Sequence, residues 1–262
     1  MPKAPENLRE FAGLLKVVES LRGPDGCPWD KEQTHQSLTR FAIEEAHELA
    51  EAIDSNDARA LRAELGDVLL QVVLHSEIAR QAGAFDIFDV IQGLNEKMVR
   101  RHPHVFASAK ADTSEQVLTN WAEIKAAEKK AKGKPDKLFD IPQGLPALLR
   151  AHKIGEKTTK LAFDFDTADQ AFAKVDEENA ELREAVDAED HAGIESELGD
   201  VLFSVVQAAR LLGVDSEQAL RKTNLRFEKR FEKMQELVKA EGRDWKDLAA
   251  EDKEKYWKAA KA

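Results

Sequence analysis

Two runs of carboxylates carry the chemistry open to this chain. Glu44, Glu45 and Glu48 are followed, after fifteen residues, by Glu64 and Asp67 in the tetrapeptide ELGD. Glu177, Glu178 and Glu181 are followed at the same distance by Glu197 and Asp200, again in ELGD. Spacings of i, i+1, i+4 and of i, i+3 gather side chains on one face of a helix. Two such faces opposed form an all-oxygen cage for a hard divalent cation, Mg²⁺ above all, with Mn²⁺ as a substitute. A cation held this way suits chemistry on phosphates.

Around the second helix, with Glu177 at zero, Glu181 falls at about 40°, Glu178 at about 100° and Glu184 at about −20°. Leu182, Val186, Asn179 and Val175 take the other side. Lys174, at about 60°, joins the carboxylates, where it can meet a phosphate that the cation also holds. The first run repeats the pattern with Glu44, Glu48, Glu45 and Glu51, but has Phe41 at the place of Lys174. One acidic helix alone is as well explained by a solvated surface, since glutamate favours helices. The ELGD segments argue further. Asp67 and Asp200 sit in LGDVLLQVVL and LGDVLFSVV, surroundings that predict partial burial. A buried carboxylate requires a cation or dense hydrogen bonding. Gly66 and Gly199 each give up about 1 kcal/mol of helix propensity, which predicts close approach of a neighbouring helix.

The elements that position these groups are helical nearly throughout. Apolar residues recur at three and four in Ile43, Ala46, Leu49, Ala50, Ile53 and in Val201, Leu202, Val205, Val206, Ala209, Leu212, the helical period. Turn residues cluster in 23–30, 101–106, 133–146 and 163–169. The repetition reaches well beyond the acids. The segment 95–101 (NEKMVRR) aligns with 224–230 (NLRFEKR), Trp121 and Lys125 with Trp257 and Lys261, and Leu14-Leu15 with Leu148-Leu149. A period this long marks a duplicated domain rather than a solenoid. The expected architecture is all-α: tandem units over 1–130 and 146–262, each a bundle of four to five helices, joined by a linker over 131–145.

The 262 residues carry a net charge of −11, which disfavours a nucleic-acid polymer as partner. A small anionic ligand remains compatible, because a bound cation inverts the local field. The single cysteine, Cys27, permits no internal disulfide and fits a reducing cytoplasm. The first residues lack the apolar core of a signal peptide, and the longest apolar stretch, near 68–74, is too short for a bilayer.

Other constellations carry less. Glu44-x-x-His47 matches half of a di-iron bundle site, but the second unit has Ala180 at the histidine position. His102-Pro103-His104 reads as an exposed loop. Gly155-Glu156-Lys157-Thr158 lacks the order and preceding strand of a phosphate loop. Cys27 near His35 reads as a structural thiol. Arg226 and Arg230, at i and i+4, form either the basic tail of a surface helix or a clamp for an oligophosphate. Trp257 either stacks on a base or packs the last helix.

Taken together, GCPWDKEQTHQSL (26–38), IEEAHELAEAI (43–53), ELGDVLLQVV (64–73), LPALLRAHKI (145–154), ELGDVLF (197–203) and NLRFEKRF (224–231) resemble the MazG branch of the all-α nucleoside triphosphate pyrophosphohydrolases, nearly end to end. The resemblance implies Mg²⁺-dependent hydrolysis of nucleoside triphosphates, ATP among them, to monophosphate and pyrophosphate. It also implies broad use of ribo- and deoxyribonucleotides, a housekeeping role in the nucleotide pool, and a homodimer in the cytoplasm with the C-terminal unit active. By position, Glu178, Glu181, Glu197 and Asp200 correspond to metal ligands. Lys174, Arg226, Arg230 and Trp257 correspond to nucleotide contacts, and Glu177 to the group that orients or deprotonates water. The first unit keeps Glu44, Glu45, Glu48, Glu64 and Asp67, with Lys97 and Arg101 at the places of Arg226 and Arg230. With Phe41 for Lys174, it is expected to bind metal and contribute little turnover. Two other functions are compatible with the carboxylates: a nucleotide-responsive scaffold without turnover, and a hydrolase specialised for one base.

Overall fold

The computed structural model describes residues 3–131 and 137–261; part of the expected linker, 132–136, lies outside the described residues. Among those described there are helices and turns and no strand. The chain divides into two compact units, Met1–Lys134 and Pro135–Ala262.

In the first unit five longer helices, α1 (Phe11–Arg22), α3 (Thr39–Ser55), α4 (Ala58–Gln81), α5 (Ile87–Arg101) and α7 (Ser114–Ala131), are joined by two short ones, α2 (Pro28–Glu32) and α6 (Pro103–Phe106). The starts are set locally. Asp57 accepts from the amides of Arg59 and Ala60 at the head of α4. Asp86 and Asp89 form a reciprocal capping box at the head of α5. The core lies where α1, α3, α4 and α5 meet, with Val18, Leu38, Val73, Leu74 and Ile87 buried and Leu14, Leu15 and Phe41 packed against them.

The second unit holds α8 (Ala147–Thr159), α9 (Ala168–Asp187), α10 (His191–Leu211), α11 (Ser216–Ala240) and α12 (Ala250–Ala260). Helices α9 and α10 pack on each other, as α3 and α4 do less extensively in the first unit. A second core joins α11 to α12 through Met234, Val238, Leu248, Tyr256 and Ala260.

The two ELGD helices, α4 and α10, end alike. Gly83 (φ 69°) and Gly213 (φ 71°) stand two residues past the last helical residue in the left-handed region. Their amides bond to the carbonyls of Arg80 and Arg210, and the following amides reach back to Ala79 and Ala209. A side chain there would be strained, so glycine ends both helices.

The expected close approach at Gly66 and Gly199 is not found: among the described residues no atom of a neighbouring helix lies within 4 Å of the Cβ position of either. The tight helix contact is at Gly155, where an added Cβ would lie 1.9 Å from Oε1 of Gln207. Gln207 is buried on α10 and donates to the carbonyl of Ala151 at 3.1 Å. The Gly155 segment is thus an α8–α10 packing surface. His102-Pro103-His104 is not an exposed loop either. Pro103 opens α6, His102 Nδ1 lies 2.6 Å from the Met98 carbonyl oxygen, and its ring meets the Trp121 edge with centres 4.9 Å apart.

Candidate functional site

In the second unit, Glu178 on α9 and Glu197 and Asp200 on α10 each offer a carboxylate oxygen, all within 4.8 Å of one another. The helical pairing of α9 with α10 brings them together. The burial differs from expectation. Asp200 is exposed, and Glu178, at 5% exposure, is the buried acid. The apolar neighbours of Asp200 in sequence, Leu198 and Leu202, are themselves exposed and so enclose nothing. Asp67 is likewise exposed, beside exposed Leu65 and Leu69.

Burial of Glu178 is answered by Lys174, one turn earlier on α9. Its Nζ lies 2.7 Å from Glu178 Oε1 and 2.8 Å from Glu177 Oε1. Hydrogen bonds to Glu177 first, then to Glu178, hold the ammonium well above its ordinary range. Glu181 stands beside the trio, its carboxyl raised by burial and then by the Glu178 charge, with Lys174 opposing. Glu177 is exposed at the edge.

In the first unit Glu45 and Glu48 on α3 and Glu64 on α4 converge within the same 4.8 Å. Asp67 lies outside this trio, as Glu181 lies outside the other, and Glu44 is exposed on α3. Oε2 of Glu64 is buried without a hydrogen-bond partner. Both Glu45 and Glu48 are pushed up, by burial first and then by neighbouring carboxylates, Asp67 foremost for Glu45 and Glu64 for Glu48. Phe41, at the place of Lys174, turns into the core and meets the Trp29 ring edge with centres 5.8 Å apart. No internal cation therefore reaches the first trio from this position.

The donor sets suit a hard divalent cation: three oxygens from three side chains, with one orphaned buried oxygen in the first unit and an ammonium already drawn onto the buried acid in the second.

The basic and aromatic candidates form a separate group. Cζ of Arg230 on α11 lies 5.9 Å from the Trp257 ring centre on α12, and Nζ of Lys261 lies 5.4 Å from it. Phe227 packs on the same ring at 5.3 Å. Arg226 is exposed and donates to Thr223 at 3.0 Å. Among the described residues, these contacts stay on α11, α12 and Lys261, the residue that follows α12. The first unit repeats the pair: Cζ of Arg101 lies 5.8 Å from the Trp121 ring centre, and half-buried Lys97 is on the same helix, α5.

Two groups escaped the sequence reading. His35 and His75 share a hydrogen bond, Nδ1 to Nδ1 at 2.8 Å, with ring planes 7° apart and centres 5.1 Å apart. That separation is the hydrogen-bond distance plus the two ring radii, so the rings lie side by side and one donates to the other. His75 also lines an apolar groove of about 400 Å³ with Glu45, Gln71 and Phe85. In the second unit Arg210 donates to Asp164 and Gln207. Neither pairing has a short-range sequence signal.

The model of the MazG nucleotide pyrophosphohydrolase domain matches the chain twice, at residues 33–106 and 166–235. The chain is 45% identical over 251 residues to a Thermotoga maritima protein named nucleoside triphosphate pyrophosphohydrolase/pyrophosphatase MazG, covering 96% of this chain and 95% of that one. It is 41% identical over 259 residues to the Escherichia coli K12 nucleoside triphosphate pyrophosphohydrolase, covering 97% and 98%. A Bacillus subtilis protein, YabN, is 45% identical over 253 residues, 96% of this chain and 52% of YabN.

Proposed function

The chain belongs to the MazG family and is a nucleoside triphosphate pyrophosphohydrolase; on that premise we propose that it uses Mg²⁺, with Mn²⁺ as substitute, to cut the α–β phosphoanhydride of ribo- and deoxyribonucleoside triphosphates. The products are the monophosphate and pyrophosphate. The observation that carries this reading is the convergence of Glu178, Glu197 and Asp200 beside Lys174. We assign turnover to the unit over 146–262, with 1–130 as the second MazG-like unit and 131–145 as linker.

Glu178, Glu197 and Asp200 would hold the cation, with Glu181 next to them. A bound cation supplies neutralisation of phosphate charge and a more acidic water. Glu177, exposed at the edge of the cluster, orients the attacking water or takes its proton. Lys174 offers an ammonium to phosphate oxygens, and Arg226 and Arg230 offer guanidinium groups. Trp257 presents a ring for the base, and stacking tolerates any base. In the first unit Glu44, Glu45, Glu48, Glu64 and Asp67, with Lys97 and Arg101, form a secondary site. With Phe41 in place of a lysine it contributes little turnover.

A homodimer fits the exposed apolar stripes. Leu65, Leu69 and Val72 on α4 and, at the same places in the repeat, Leu198, Leu202 and Val205 on α10 are all exposed, a surface for a second copy of this chain. We assign the enzyme to the cytoplasm and to upkeep of the nucleotide pool. No described helix is long and apolar enough to cross a membrane.

The test is a panel of nucleotides with Mg²⁺ and identification of products, for the natural chain and for Glu181→Ala. Monophosphate and pyrophosphate are expected, with a strong loss in the variant. Orthophosphate with a diphosphate would overturn the cleavage position. Binding without turnover would support a scaffold, and turnover of a single base would mark a specialised hydrolase.

A further inference from the structure

Lys174 stands where its role is not limited to phosphate. Its Nζ lies 2.7 Å from the buried Glu178, one of the three converging acids, and its side chain is about one-third exposed, at 35%. A cation entering between Glu178, Glu197 and Asp200 meets a carboxylate whose Oε1 is already neutralised by this ammonium. Two positive charges on one carboxylate repel, and the repulsion is screened less for a buried acid than for an exposed one. Glu177, the other partner, is mostly exposed at 57% and can keep Lys174 outside the trio. The lysine is thus attached to both an inner and an outer carboxylate, separated by a rotation of a flexible four-carbon stem.

We propose that Lys174 is a displaceable internal counter-ion that couples metal loading to nucleotide binding. This rests on the reading of α9 and α10 as a metal and triphosphate site. Without nucleotide, Lys174 neutralises Glu178 and weakens divalent-cation binding at Glu178, Glu197 and Asp200. A triphosphate gives the ammonium an alternative partner, so Glu178 is freed for the cation when the substrate arrives. The coupling is reciprocal: cation and nucleotide each strengthen the other's binding. The first unit provides the physical contrast. Phe41 is packed in the core there, and the carboxyls of Glu45 and Glu48 are raised by burial and then by neighbouring carboxylates, Asp67 foremost for Glu45 and Glu64 for Glu48.

The experiment is a calorimetric titration of the full chain with Mn²⁺, in the absence and presence of a non-hydrolysable α,β-methylene triphosphate. The proteins are the natural chain, Lys174→Met, Lys174→Gln, Glu178→Gln and the Lys174→Met/Glu178→Gln pair. Helical content by circular dichroism verifies that each is folded. Without nucleotide, Lys174→Met and Lys174→Gln are expected to bind Mn²⁺ on the order of ten-fold more tightly than the natural chain, the scale of one partly buried ion pair. The gain should vanish when Glu178 is also Gln. The analogue should tighten Mn²⁺ binding in the natural chain and do so much less in Lys174→Met. Unchanged Mn²⁺ affinity in both lysine variants, or an equal effect of the analogue with and without Lys174, would overturn the proposal. Product analysis is a separate readout, so failure of the hydrolysis reading and failure of this coupling are distinguishable.

Discussion

Nη2 of Arg101 lies 2.6 Å from Oε2 of Glu128, so the arginine at Arg230's place in the repeat is already neutralised. Arg100 joins the same carboxylate at 2.7 Å, and together they tie α5 to α7. Arg230 has no ion pair among the described residues and rests on Trp257. The two units therefore present the same arginine–tryptophan pair with different availability for an anion.

Replacing Arg230 with alanine should raise KM for ATP by roughly ten-fold, the scale of one lost charge-assisted contact. Steady-state kinetics checks this. An unchanged KM and kcat would remove Arg230 from substrate binding.

Glu128 is held down at about 2 by its hydrogen bonds to Arg101 and then Arg100. A carboxyl depressed on folding stabilises the folded chain above its ordinary value and ceases to as pH falls through the folded value. Glu128→Gln should therefore lower the thermal midpoint near neutral pH. The difference from the natural chain should shrink below 4.5 and close near pH 2. Melting curves across this range decide it, and a gap that widens on acidification would reverse the assignment.

Gly155→Ala should destabilise the second unit by about 1–3 kcal/mol, the range for overpacking. The new methyl would lie 1.9 Å from Gln207 Oε1 and 2.5 Å from Arg210 Nε. Both side chains are tethered, Gln207 to Ala151 and Arg210 to Asp164, so they yield only by giving up bonds. Urea unfolding measures the loss, and an alanine chain as stable as the natural one would contradict the tight contact.

Short-range pattern made much of this molecule readable. Caps such as Asp57 and Asp86 act within three residues, and the apolar period marks the helices they start. The convergence of acids on α9 and α10 also follows from spacing, because i, i+3 and i+4 fix a shared face. Spacing does not say what stands opposite that face. The apolar neighbours of Asp200 in sequence predict its burial and the polar neighbours of Glu178 do not, yet Asp200 is exposed and Glu178 buried. Burial depends on how helices pack on one another, and Leu198 and Leu202 beside Asp200 are themselves exposed. For the same reason Gly199 suggested a close contact that belongs to Gly155. His35 with His75 and Asp164 with Arg210 are pairs 40 and 46 residues apart, beyond any local signal.

Mg²⁺ should stabilise the chain most where its carboxylates are ionised. Glu45, Glu48 and Glu181 are raised above the ordinary 4.5 by burial and by neighbouring acids. A carboxyl raised on folding holds its proton more tightly in the folded chain. Its ionisation then reduces stability as pH climbs from 4.5 through the raised value, and the full cost is present above it. A cation offsets that cost only in the ionised state. The rise in melting temperature on adding Mg²⁺ should therefore be large at about pH 7 and fade toward pH 4.5. Glu48→Gln should raise the metal-free midpoint at neutral pH and diminish the Mg²⁺ response. A response that grows on acidification would exclude carboxylate binding.

The stripes on α4 and α10 make the last prediction. Leu202 is 50% exposed and Leu69 40% exposed, at equivalent places on the two ELGD helices. Large apolar side chains at i, i+4 and i+7 leave a continuous apolar ridge in water, and Gly66 and Gly199 lie next to it with open space above them. If a second copy covers these ridges, a charge at the centre of one is left buried and unpaired in the dimer but costs little in the separated chain. Leu202→Glu should thus shift the mass measured by light scattering from dimer toward monomer while helical content is retained. Leu69→Glu tests the first unit's ridge in the same way. A natural chain that is monomeric at every concentration would rule out the dimer, and a Leu202→Glu and Leu69→Glu pair that stays dimeric would place the contact elsewhere.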